Sequence, residues 1–144
     1  MFTRILYPTD FSDVSKKALA YIKQLKEAGT KEVIVLHVID ERQIEAVVLY
    51  GRGDSCVFMD TMEQEARMEV AAIEKELRDS GFVVNSIVKT GIPLREILSV
   101  EGDEKVSLMV IGSHGKTNLK EMLIGSVSEK VIRRSKSPVL VIKR

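Results

Sequence analysis

Near the C-terminal end, Gly112, Gly115 and Gly125 followed by Ser126 form the pattern G-x2-G-x9-G-S. Glycines at this spacing make and break no bonds; what they offer is accessible backbone. Where a glycine-lined turn leads into a helix, unpaired N–H groups and the positive end of the helix dipole together favour an anion, and a phosphate is the obvious one. The flanks suit that use. SLMVI (107–111) reads as a buried strand and SVSEKVIRR (126–134) as a helix, so strand, loop and helix start follow in order. His114 and Lys116 lie inside the loop, where either can reach a terminal phosphate or simply face solvent.

Two better-known phosphate motifs fail on the same residues. Gly115-Lys116-Thr117 looks like the tail of a P-loop, but the earlier glycine that motif needs falls on Val110, inside the strand. The three-glycine dinucleotide fingerprint needs glycines in the first strand-to-helix turn, and that turn, PTDFSD, has none. Gly51 and Gly53 imitate its opening, yet the third position is Cys56 and no strand ends before Gly51. Arg52-Gly53-Asp54 is an adhesion tripeptide only in extracellular proteins and is read as chance.

The elements that must position these residues are visible as alternating patterns. RILY (4–7) is a short apolar strand stopped by Pro8, with Thr9 and Asp10 at its C-terminal end. Ser12 caps a helix whose Val14, Ala18, Ile22 and Leu25 recur at helical spacing until Gly29. VIVLHVI (33–39) is apolar on both faces except for His37, as in a central parallel strand covered by helices on each side. Val38, near its end, is placed to touch a ligand, whereas His37 reads as a core or half-buried histidine. Residues 40–59 are the least regular, with a short helix over 41–50 and a loop at GRGDS (51–55). Asp60 and Glu63 resemble a capping box opening a helix striped by Met62, Ala66, Val70, Ile73 and Leu77. A third strand at 82–89, a short helix opened by Pro93 and ended by Gly102, the fourth strand, the glycine loop with its helix, and VLVI (139–142) complete the chain. The expected fold is a three-layer α/β/α sandwich, because strands alternating with helices imply right-handed crossovers in a parallel sheet. If the chain winds one way through strands 1 to 3 and the other way through 4 and 5, the order is 3-2-1-4-5. The ligand crevice then lies at the carboxyl ends of strands 1 and 4, which carry Thr9-Asp10 and Gly112.

Composition bounds the function. A chain of 144 residues with 44% hydrophobic content suits one domain over 1–144, and the 5% aromatic content requires an aliphatic core. Basic and acidic residues nearly cancel, 22 against 21, so net charge gives no argument for nucleic acid or a membrane surface as a partner. From Gly112 onward, however, eight basic residues face two glutamates, a balance of +6 on the segment that carries the glycine pattern. The lone Cys56 cannot form an internal disulfide and no signal segment opens the chain, so a cytoplasmic location is expected.

The G-x2-G-x9-G-S pattern, ILYPTDFS near the start, VIVLHVID, the GSHGKTN loop and SPVLVIK near the end together make the chain resemble the universal stress protein family, specifically its ATP-binding members. That resemblance covers essentially the whole chain and implies a Rossmann-like nucleotide site. By it, Asp10, Val38, Ile111 and Gly112 contact adenine and ribose, Gly115, Gly125, Ser126, Val127 and Ser128 hold the phosphates, and Pro8 and Thr9 line the same pocket. Ser126 with Glu129 also suits a second capping box at the phosphate-facing helix start. Asp10 is the only carboxylate this reading sets near the phosphates, hence an indirect Mg²⁺ or Mn²⁺ partner through water, or else a residue that bonds the ribose or its own turn.

Three functions are compatible with these residues: a nucleotide-binding stress or regulatory switch acting on an unknown protein partner, a slow or partner-stimulated ATPase, and a dimeric module with a vestigial site. The first is favoured over the second because no water-positioning residue with an arginine is apparent, and over the third because the glycine pattern is intact. In the 3-2-1-4-5 order the last strand is an edge, apolar from Val139 through Leu140, Val141 and Ile142, which predicts an antiparallel homodimer through it, as the resemblance also implies.

Overall fold

The computed structural model describes residues 1–49, 55–113 and 126–143. In chain order the elements are β1 (Arg4–Pro8), α1 (Asp13–Gln24), β2 (Glu32–Asp40), α2 (Glu41–Leu49), α3 (Ser55–Asp79), β3 (Val83–Gly91), α4 (Pro93–Glu104), β4 (Leu108–Gly112), α5 (Ser126–Arg134) and β5 (Val139–Ile142). The strands form one parallel sheet of order β3-β2-β1-β4-β5, the expected order.

Strand alternation distributes the core. Ile5 and Tyr7 of β1, Val33 and Val35 of β2 and Val110 of β4 pack with α1 (Ala18, Ile22) and α3 (Val70, Ile73, Leu77) on one face. Their neighbours Leu6, Ile34, Leu36, Met109 and Ile111 pack with Ile97 and Val100 of α4 and Val131 of α5 on the other. Both faces are therefore covered, which is why β1, β2 and β4 read as nearly continuous apolar runs. The placement also follows from handedness. Right-handed crossovers from β1 to β2 to β3 put α1 and α3 on one side, and reversing direction to reach β4 and β5 puts α4 and α5 on the other.

Several local boundaries differ from the sequence expectations, each for a physical reason. β1 does not stop before Pro8 but ends on it: Pro8 is in register with Leu36, while pairing to β4 ends at Leu6 with Met109, so the missing N–H falls where one neighbour has already left. The helix expected to start at Asp60 begins at Ser55, and Glu63 bonds Arg67 rather than closing a capping box. Gly102 lies inside α4, which continues to Glu104 and terminates on Lys105 in the left-handed region at φ 49°. α1 ends at Gln24, and a run of turns then carries the chain to Gly29 at φ 99°. Ser126 is the first residue of α5, and Glu129 receives Arg133 Nη2 at 3.0 Å instead of reaching back to the helix start.

Candidate functional site

The site begins where β1 and β4 part. Beyond Leu6 and Met109 the two strands are unpaired, and the gap between their carboxyl ends is the reversal point of the sheet. The β1 side turns sharply. Thr9 N–H still donates to Leu36 O at 2.8 Å, after which Thr9 Oγ1 accepts Phe11 N–H at 3.1 Å and the Ser15 hydroxyl at 2.7 Å. Asp10 Oδ1 accepts Ser12 N–H at 2.9 Å, an Asx turn, and Ser12 Oγ caps α1 through Ser15 N–H at 3.3 Å. Below them the buried Tyr7 hydroxyl donates to Ser15 O at 2.6 Å, and burial, outweighing the help of Ser15 and Thr9, pushes the phenol above its usual range.

On the β4 side Gly112 lies against α1. A Cβ there would stand 3.1 Å from Val14 Cγ1 and 3.3 Å from Ser15 N, so any other residue would press strand and helix apart by a few tenths of an ångström. The buried Ser128 hydroxyl donates to Gly112 O at 2.7 Å, tying the first turn of α5 to the end of β4.

Between these walls is a cavity of about 400 Å³. The β1 end contributes Pro8, Thr9 and Asp10, β2 contributes Val38, β4 contributes Ile111 and Gly112, and α5 contributes Ser126, Val127 and Ser128. His114, Gly115 and Gly125 lie outside the described residues, as do Lys116 and Arg52-Gly53-Asp54. The volume is that of a small-molecule site, mostly apolar with a few placed polar groups. The amino end of α5 makes one wall favourable to an anion.

The cavity has a third wall that was not anticipated. Met62, Glu65, Ala66 and Glu69 of α3 line it, so Asp10 is not its only carboxylate; Asp40 at the end of β2 is another. These acids are largely engaged elsewhere: Glu69 pairs with Lys16 at 3.7 Å, and Asp40 receives the Arg42 fork at 2.9 and 2.6 Å. That fork holds the Asp40 carboxyl below its usual value against the opposing effect of burial. Glu65 and Glu69 lie one helical turn apart and so share a face of α3, but nothing in the sequence says that this face meets the crevice. Phe11 and His37 also line it, their rings stacked at 4.2 Å between centroids and 25° between planes.

Ser128 Oγ is spent on a backbone carbonyl, and among the described residues no group of three or more His, Cys, Asp or Glu side chains could hold a metal ion. Nor is any helix among them long and apolar enough to cross a membrane.

A doubly wound parallel α/β sheet of order 3-2-1-4-5, with its cavity at the reversal point, defines a protein of the Rossmann-like class. The profile of the universal stress protein family matches residues 1–143, and the chain belongs to that family. It is 44% identical to Universal stress protein MJ0577 of Methanocaldococcus jannaschii, over 100% of this chain and 96% of the relative. The solved structure of MJ0577 superimposes with a TM-score of 0.91, covering 100% of this chain and 97% of the other at 46% identity. A universal stress protein from Arabidopsis thaliana solved with AMP bound, 18% identical over 99% and 92% of the two chains, has the same fold with a TM-score of 0.65.

Proposed function

We propose that the protein binds ATP in the crevice between β1 and β4 and acts as a nucleotide-dependent switch in a stress or regulatory response. In this reading adenosine lies against Pro8, Thr9, Asp10, Val38, Ile111 and Gly112. The phosphates lie on Gly115, Gly125 and the first turn of α5 at Ser126, Val127 and Ser128, within reach of His114. The observation that carries it is that the β1 end meets, around one cavity, the β4 end and the start of α5, the two elements that flank G-x2-G-x9-G-S. The +6 balance after Gly112 supports the same polarity.

A divalent ion fits as a companion of the phosphates rather than as a resident of a protein cage. Asp10 has one oxygen in its own turn, and the other accepts no hydrogen bond from a described residue. It can therefore take a metal-bound water, as Mg²⁺ or Mn²⁺ that keeps much of its water shell requires. When bound, the ion would neutralise phosphate charge.

The test is to denature the purified protein, identify any released nucleotide by chromatography, and titrate ATP into wild type and Gly115→Val. Released adenine nucleotide and saturable binding lost in the variant are expected. Neither release nor binding would leave a dimeric module with a vestigial site. Magnesium-dependent phosphate release over many turnovers, abolished by Gly115→Val, would instead make the protein an ATPase.

A further inference from the structure

At the end of β1 the chain must leave the sheet, and the carbonyl of Thr9 leaves with it. The β1–β2 register ends at Pro8 with Leu36, and Thr9 is 5% exposed, so its backbone oxygen needs a protein partner. A side chain from the neighbouring strand supplies one: His37 Nδ1 stands 2.8 Å from Thr9 O. A carbonyl oxygen has lone pairs only, so Nδ1 carries the hydrogen of this bond. The same ring stacks on Phe11, which sits at φ 64°, a conformation rare for a bulky L-residue. Strained backbone of this kind persists only where its surroundings over-determine it. Here three contacts do so: the His37 stack, the Phe11 N–H bond to Thr9 Oγ1, and the Asp10–Ser12 turn that follows.

We propose that His37 is the positioning residue of the nucleotide site's β1 half. Its Nδ1–H holds the Thr9 carbonyl, and through that bond it fixes the 9–12 turn that presents Thr9 and Asp10 to the cavity. It acts through the turn and makes no bond to the ligand. The functional half of this inference rests on the ATP reading above; the structural half does not.

Two substitutions separate the donor from the ring. His37→Asn keeps an N–H near the Nδ1 position and loses the stack, whereas His37→Phe keeps an aromatic ring and loses the donor. Imidazole ¹⁵N NMR of the wild type should show a hydrogen on Nδ1; a neutral ring protonated only at Nε2 would overturn the proposal. In His37→Phe, hydrogen exchange at the Phe11 and Ser12 amides should accelerate and ATP affinity should fall about tenfold, the scale of one lost hydrogen bond at a buried carbonyl. His37→Asn should restore both. Wild-type exchange and affinity in His37→Phe, or equal damage from both substitutions, would sink the proposal and leave His37 a packing residue. If the wild type binds no ATP, the nucleotide reading fails by itself, and the Nδ1 hydrogen and the two amides still decide whether His37 holds the turn.

Discussion

Gly112 concentrates the demands of the site on one position. Its carbonyl accepts Ser128, its missing side chain admits Val14 and Ser15 of α1, and it borders the cavity. Gly112→Ala forces backbone and a branched side chain apart by a few tenths of an ångström. The expected cost is about 1–3 kcal/mol, read as a lower urea midpoint with unchanged slope, together with weaker ATP binding. A variant as stable as wild type would mean that α1 yields freely here. Gly112 was legible in the sequence because glycine spacing and a strand end mark it together. So were Asp10, which follows β1 at the reversal point, and Val38, near the carboxyl end of β2. Glu65, Glu69 and Phe11 were not: they enter the site through the rotation of α3 and a left-handed turn at an aromatic residue, and neither leaves a local pattern.

The helices carry two further consequences. Gly102 lies within α4, where an added Cβ meets nothing within 4 Å, so Gly102→Ala should stabilise the protein by about 0.5–1 kcal/mol by restricting the unfolded chain, measurable as a raised denaturation midpoint. It was read as the helix stop because glycine usually ends helices, whereas Lys105 takes the left-handed conformation here. Next to it in α4, the buried Glu101 clasps the α5–β5 connection: its carboxylate accepts the Ser135 hydroxyl and the amides of Lys136 and Ser137 at 3.1 and 2.9 Å. Burial works to raise its pKa, but these donors outweigh it and hold the carboxyl below its ordinary 4.5. A depressed folded value means the contribution to stability is full above 4.5 and is lost as pH falls from there through the folded value. Acid unfolding should therefore steepen below that pH, and Glu101→Gln should flatten this part of the profile while lowering stability at neutral pH. An unchanged acid limb in the variant would remove Glu101 from the account. No periodicity could have disclosed this clasp, since its partners lie more than thirty positions away.

At the scale of the whole molecule the sheet leaves two edges, β3 and β5, and they are not alike. β3 carries Asn85, Ser86, Lys89 and Thr90, polar side chains that blunt an edge, while β5 is Val-Leu-Val-Ile with its first three residues only half-buried. The sequence disclosed the layers well because both faces of β1, β2 and β4 are covered and read as apolar runs, whereas the strand order depended on a reversal between β3 and β4 that alternation alone does not disclose. The proposed homodimer follows from β5 and from ladder geometry. Carbonyls of Pro138 and Ile142 point to β4, accepting Met109 and Ser113 N–H at 2.9 and 2.8 Å. Alternate residues of a strand address opposite edges, so Leu140 also faces β4, and Val139 and Val141 turn their N–H and C=O outward. Val141→Pro thus removes an outward donor without taking one from the β4 ladder. Sedimentation should give a dimer for wild type at micromolar protein and a monomer for Val141→Pro, with the circular dichroism of the two alike. A wild-type monomer would refute the pairing outright, and a variant that stays dimeric would move the interface away from this strand.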